Sequence, residues 1–204
     1  MILTVSMGLV LFALAYLYGS ATLIGLCCLL RVDLPQTGAL SIALLTGIMV
    51  LTILAMIANL FLPLSTIYVL ILLWGALVIV FQKRLRAPVS LPRYQPIIWA
   101  VLILAFLTVL ENATHTPANP DTGLYHAQTI RWFETYRIVP GLGNLHERLA
   151  LNSSWLVLNA SLSAAFLRLR SFHLMGGVLF LSSDRKSTRL NSSHIQKSRM
   201  PSSA

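Results

Sequence analysis

Most of the acidic residues and histidines of this sequence lie in one segment, residues 111–152, which holds four acidic residues and three histidines. Asp121 could act as a base, or bind a metal or a sugar hydroxyl, with His126 one turn later assisting it. Arg148 could bind a phosphate through two parallel hydrogen bonds, and His146 could supply a second donor or a proton. These residue types are typical of proton transfer and phosphate recognition.

Each of these residues also has a structural interpretation. Asp121 is well suited to cap the N-terminus of an amphipathic helix over about 122–136, where apolar positions recur at helical spacing. On a regular helix beginning at Asp121, His126 would lie about 140° around the axis, so the two converge only if Asp121 precedes the helix. Arg148 could simply pair with its neighbour Glu147. Spacing alone leaves these alternatives open.

Long apolar runs must position this polar segment. The chain is 56% hydrophobic and 10% charged, with a mean hydropathy of +0.77, which excludes a soluble globular domain. We therefore predict an all-α fold, a polytopic bundle of transmembrane helices whose external loop contains interfacial amphipathic helices. The predicted spans are 2–30, 38–62, 66–82, 96–110 and 153–169, with the start of a sixth from Phe172 onward.

The C-terminal segment 184–204 differs from the rest. It back-translates closely into the index adapter of a short-read sequencing library, with room for the index between two matching parts, so we treat it as a non-native tail. A basic, serine-rich disordered tail is the alternative. Without this segment the formal net charge falls from +9 to +5. The remaining part, 1–183, stops inside an apolar run, so we expect an N-terminal fragment of a polytopic protein, inactive by itself.

The distribution of Lys and Arg predicts the orientation in the bilayer. Seven of the basic residues outside the tail fall on one set of loops and three on the other, which places the N-terminus and the loop 111–152 outside. The basic residues are then topology signals, and no nucleic-acid partner is expected. No zinc-ligand spacing, phosphate-binding glycine loop or nucleophile elbow occurs in the sequence. No cofactor is indicated, and the participation of a divalent cation stays open.

Residues 119–155 resemble the signature of a family of bacterial multi-pass membrane proteins, similar in layout to the C-type glycosyltransferases. In those enzymes the first large external loop carries an acidic active-site residue, and Asp121 fits that place. In this sequence three spans precede the helix that leads into the loop, whereas in the better-known enzymes only one span precedes it. The resemblance is carried by Asp121-Thr122-Gly123-Leu124-Tyr125-His126, Arg131-Trp132, Ile138-Val139-Pro140-Gly141-Leu142-Gly143-Asn144-Leu145-His146-Glu147-Arg148-Leu149 and Asn152-Ser153-Ser154-Trp155.

The resemblance implies an inner-membrane enzyme of bacterial cell-envelope polysaccharide or glycolipid assembly, using a polyprenyl-phosphate-linked sugar. Asp121 would orient or deprotonate the acceptor hydroxyl, with His126 as the second catalytic residue. The implied substrate-binding residues are Tyr125, Arg131, Asn144, His146 and Arg148. Two other functions stay open: an exporter or carrier subunit that recognises the substrate without changing it, and a surface-polysaccharide polymerase.

Overall fold

The structure is a computed structural model that describes residues 2–33, 39–82, 96–112, 115, 120–150, 153–163, 175–179 and 182. Those residues form helices joined by turns, with no strand among them, which confirms the all-α prediction. The predicted tail, 184–204, and the last part of the predicted fifth span, 164–169, lie outside the described residues, as do the basic residues between 83 and 93.

Four long helices lead into the polar segment, and shorter elements lie within it and after it. The long helices are α1 (Ile2–Leu30), α2 (Ala39–Phe61), α3 (Thr66–Phe81) and α4 (Pro96–Asn112). The later elements are a π-helical turn (Thr122–His126), α5 (Ala127–Thr135), α6 (Leu142–Leu145), a 3-10 turn (Glu147–Ala150) and α7 (Ser154–Ser161). The first four agree closely with the apolar runs of the sequence.

Two segments of these helices are long and apolar enough to cross a membrane, Ser6–Leu30 and Ala39–Asn59. Only 28% of the first and 33% of the second is buried within the protein, whereas the core helix of a soluble protein is mostly buried. α3 is equally apolar, but its 16 residues extend about 24 Å, which is less than the hydrocarbon thickness of about 30 Å.

α1 and α2 pack closely through small residues. Ala15 and Gly19 on α1 face Ala43 and Gly47 on α2, and a Cβ atom added to Gly47 would overlap the backbone of Ala15. The same addition at Gly19 would overlap the backbone of Ala43. Both helices thus carry two small residues four positions apart, an arrangement that lets helix backbones approach closely in membranes.

The predicted fifth span, 153–169, is not one continuous helix. α7 ends at Ser161 after eight residues, about 12 Å, which is too short to cross a bilayer. Two residues beyond this end, Ser163 Oγ donates a hydrogen bond to Glu134 Oε1 on α5. The described residues therefore do not support the prediction of five spans and the start of a sixth.

α5 is the amphipathic helix that the sequence predicts, and its apolar side faces the helix bundle. Thr129 and Ile130 are buried while Arg131 is exposed, and Ile130 belongs to the same apolar core as α7. The turn between α2 and α3 holds its C-terminal end, because the Leu64 backbone N–H donates to the Phe133 carbonyl at 2.8 Å. The polar segment is thereby fixed to one end of α2 and α3.

Candidate functional site

Asp121 and Arg148 lie together, although 27 residues separate them in the chain. Arg148 Nη1 is 3.4 Å from Asp121 Oδ1, with the two side chains 46% and 43% exposed, respectively. The guanidinium carbon of Arg148 lies 5.3 Å from the centre of the Tyr125 ring, within the range of cation–π attraction. The cation is therefore shared between a carboxylate and an aromatic face, and it remains accessible from solvent.

Both predicted histidines adjoin this pair. The rings of Tyr125 and His126 meet edge to face with centroids 4.3 Å apart. His146 Nδ1 accepts a hydrogen bond from the backbone N–H of Arg148 at 3.2 Å, so in a neutral ring the proton resides on Nε2. The structure thus brings together five of the seven predicted site residues. We name the group formed by Asp121, Tyr125, His126, His146 and Arg148 the Asp–Arg cluster.

Asp121 does not cap the helix as one interpretation of the sequence predicts. Its φ of −61° and ψ of −26° are helical, and its side chain makes no capping hydrogen bond to the following turn. The preceding residue, Pro120, is already helical, and a proline fits in the first turn of a helix because the N–H groups there need no partner within the helix. The carboxylate of Asp121 lies beside Arg148, and among the described residues no ion pair joins Arg148 to Glu147, the partner that the other interpretation offers.

The turn that carries Tyr125 and His126 is wider than an α-helical turn. The Ala127 backbone N–H bonds to the Thr122 carbonyl, which closes an i→i+5 turn of the π type, a feature frequent at functional sites. The expected angle of about 140° between Asp121 and His126 assumed regular α-helix and does not apply to this segment. Within the Asp–Arg cluster, Arg148 and Tyr125 link the two residues.

A glycine turn returns the chain to the Asp–Arg cluster after α5. Gly141 has a φ of +85°, in the left-handed region that favours glycine, and its carbonyl accepts the Asn144 N–H at 2.9 Å. Gly143 lies so close to Ala150 that a Cβ on Gly143 would stand 2.8 Å from the Ala150 Cβ. The glycines therefore allow α6 to fold onto the 3-10 turn that carries Arg148.

Two predicted substrate-binding residues lie elsewhere. Arg131 is exposed on α5 and Asn144 is exposed on α6. Within the described parts of the chain, no hydrogen bond or ion pair joins either residue to Asp121 or Arg148. Their substrate-binding roles stay predictions, because neither residue belongs to the Asp–Arg cluster.

Asn59 is a positioning residue that the sequence reasoning missed. It lies on α2 with 4% of its surface exposed, and its Nδ2 is 3.5 Å from the Phe133 carbonyl and 3.4 Å from the Tyr136 carbonyl. The backbone carbonyl of Asn59 accepts the Ile138 backbone N–H at 2.8 Å. Asn59 thus donates to two carbonyls at the C-terminal end of α5, where the helix itself offers no donor, and it shares the Phe133 carbonyl with the Leu64 N–H. The signal in the sequence that could have identified Asn59 is that it is a single asparagine near the end of an apolar run.

A cavity of about 260 Å³ adjoins the Asp–Arg cluster. It lies between the second half of α5 and the chain segment that returns through the glycine turn. Its lining residues are Thr129, Trp132, Phe133, Arg137, Ile138, Val139, Gly141, Leu142, Gly143, Leu149 and Ala150. We name it the α5 cavity. Asp121 and Arg148 do not line it, so the two features are neighbours with separate linings.

Metal ligation is not apparent in the part of the chain that the structure describes. No group of three His, Cys, Asp or Glu side chains converges there in a way that could hold a metal ion. The chemistry of the described Asp–Arg cluster therefore rests on one carboxylate, one guanidinium, two imidazoles and a phenol.

Fold and site together define an all-helical protein in which apolar helices carry a polar cluster on a folded segment between α4 and α7. The chain belongs to the family described as a domain of unknown function, DUF8201, whose sequence pattern matches residues 1–200. Searches for similar curated proteins and for similar solved structures found no match.

Proposed function

We propose that this chain belongs to a membrane-embedded, glycosyltransferase-like enzyme of cell-envelope polysaccharide or glycolipid assembly. Its donor is a sugar linked to a polyprenyl phosphate. The observation that carries the proposal is the pairing of Asp121 with a solvent-accessible Arg148 next to two histidines. A base beside a phosphate-binding cation is what transfer from a phosphate-linked sugar to a hydroxyl requires.

The proposed location is the bacterial inner membrane, with the loop 111–152 on the external side. The low burial of Ser6–Leu30 and Ala39–Asn59 favours a lipid environment, because the described residues cover only a minor part of these apolar helices. Contact of the α2–α3 turn with α5, through Leu64 and Phe133, agrees with a topology that puts this turn and the loop on one side.

In the proposed reaction, the acceptor hydroxyl oxygen attacks the anomeric carbon of the donor sugar. The bond between that carbon and the phosphate oxygen breaks, and the phosphate leaves with the bonding electron pair. Asp121 takes the hydroxyl proton, while Arg148 neutralises the charge that grows on the leaving phosphate. The exposed His146 can donate a hydrogen bond from Nε2 to the same phosphate, because its Nδ1 already accepts the Arg148 N–H.

Transfer of a radiolabelled sugar by the purified protein in nanodiscs tests the proposal. We expect Asp121→Asn to lower the transfer rate by about 100-fold or more, as for loss of a general base. Glu147→Gln is the matched control, because it removes the same charge from an exposed side chain beside Arg148 in the sequence. An Asp121→Asn protein with unchanged transfer would remove Asp121 from the base role.

Recognition without transfer is the second candidate. It is favoured by the fact that Asp121 already contacts Arg148, so that its carboxylate balances a cation rather than standing ready for a proton. The same assay separates the two candidates. Turnover of the donor supports the enzyme, whereas binding of the donor with no product supports an exporter or carrier subunit.

A further inference from the structure

The α5 cavity has mostly apolar walls. Trp132, Phe133, Ile138, Leu142 and Leu149 all contribute to its lining. At about 260 Å³ it is slightly smaller than the pockets of about 300–1,000 Å³ that hold drug-sized ligands. Its size and lining thus fit a short apolar chain or a small group with a large apolar surface.

One cation stands at this apolar cavity. Arg137 lines it and is exposed to solvent, and the described residues offer Arg137 no ion-pair or hydrogen-bond partner. The remaining polar side chain of the lining, Thr129, donates its hydroxyl hydrogen to the Tyr125 carbonyl at 2.8 Å. The lining therefore combines an apolar surface with one positive charge, which is the complement of an amphiphile with an acidic head group.

The α5 cavity is distinct from the Asp–Arg cluster. Leu149 lines the cavity, whereas the preceding residue, Arg148, directs its guanidinium to Asp121 and Tyr125. The two cations therefore lie in different environments. Arg137 lies at the apolar cavity, and Arg148 lies in the Asp–Arg cluster. A transfer reaction between two membrane-bound substrates needs two such binding places.

We propose that the α5 cavity binds a single-chain amphiphile with an acidic head group, with the head group at Arg137 and the first part of the chain between Trp132 and Leu142. Identification of this ligand as the acceptor of the sugar rests on the proposed function. Binding itself does not depend on it, because the cavity and its cation are independent of Asp121 and Arg148.

A chain-brominated dodecyl phosphate tests the proposal with the full chain in phosphatidylcholine nanodiscs. Bromine quenches tryptophan on contact, and the part of the quenching that disappears in Trp132→Phe reports occupancy of the cavity. We expect Arg137→Gln to weaken binding about tenfold, the effect of losing a charge-assisted hydrogen bond. Arg137→Lys keeps the charge and should retain most of the affinity. The corresponding brominated alcohol should bind about as weakly as the phosphate binds to Arg137→Gln.

Leu142→Trp, which fills the cavity, should abolish the Trp132-dependent quenching, and a circular-dichroism spectrum identical to the parent protein establishes that it is folded. Arg148→Gln should leave the affinity unchanged. Inorganic phosphate in excess should not displace the amphiphile, whereas displacement would mean that the site takes free phosphate. The proposal is overturned if Arg137→Gln binds the alkyl phosphate as tightly as the parent protein does. If the parent protein binds the alkyl phosphate but transfers no sugar, the result counts against the proposed function and leaves the binding proposal intact.

Discussion

Replacing Asp121 with asparagine should strengthen the binding of a phosphate-type anion at Arg148, because the carboxylate and the anion compete for the same cation. Two unit charges at the observed 3.4 Å attract each other by about 1.2 kcal/mol in water and by about 5 kcal/mol at an effective dielectric constant of about 20. Both side chains are close to half exposed, so the lower value applies, and measured exposed pairs give about 0.2–1 kcal/mol. The expected gain in affinity is about 1.5- to 5-fold.

The assay is a ³¹P NMR titration with methyl phosphate, which has no chain to occupy the α5 cavity, in an Arg137→Gln background. Arg148→Gln should lose the binding, and adding Asp121→Asn to it should restore nothing, which completes a double-mutant cycle. Glu147→Gln is the matched control for net charge. Weaker binding in Asp121→Asn, or an equal gain in Glu147→Gln, would refute direct competition between Asp121 and the anion.

Three further predictions concern the framework. Gly47→Leu should force α1 and α2 apart and lower the stability by about 1–3 kcal/mol, while Gly25→Leu, where a Cβ meets nothing within 4 Å, should leave the melting temperature unchanged; equal shifts would contradict the close packing. Asn59→Ala should cost about 1–3 kcal/mol, because it removes the side-chain donor of the Tyr136 carbonyl, and hydrogen exchange at the Ile138 amide should quicken as the segment after α5 loosens, so unaltered exchange would argue against this anchor. Arg31→Gly should stabilise the end of α1 by about 1 kcal/mol, because Arg31 has a φ of 55° and a left-handed residue with a Cβ is strained. Arg31→Ala, measured in the same thermal melt, should give no such gain.

The apolar helices were the most predictable part of the fold. Uninterrupted apolar runs predict α1 and α2 almost to the residue, since few other structures accommodate more than twenty apolar residues in succession. The end of α7 was not predictable in the same way. Ser163, two residues beyond it, contacts Glu134 on α5, and a hydrogen bond between two distant segments leaves no trace in the local hydrophobic pattern.

The site was predictable in its residue types and only partly in its geometry. A local concentration of polar residues drew attention to Asp121 and Arg148, but nothing in their spacing could choose between their mutual pairing and a helix cap or a Glu147 partner. The choice depends on the glycine turn that folds the chain back after α5. Asn59 was missed because one amide in an apolar helix looks like a tolerated exception until its partners are known.

The π-helical turn at 122–126 has a consequence for related sequences. Relative to an α-helix it holds one surplus residue, so deleting a residue there would rotate everything before it by about 100° around the helix axis. The Asp121 carboxylate would swing away from Arg148, and the methyl phosphate titration would detect the lost competition. A relative that has the same acid and the same arginine but a shorter turn would therefore contain both residues of this site without the ion pair between them. Counting residues across the turn distinguishes such relatives better than the presence of the two side chains does.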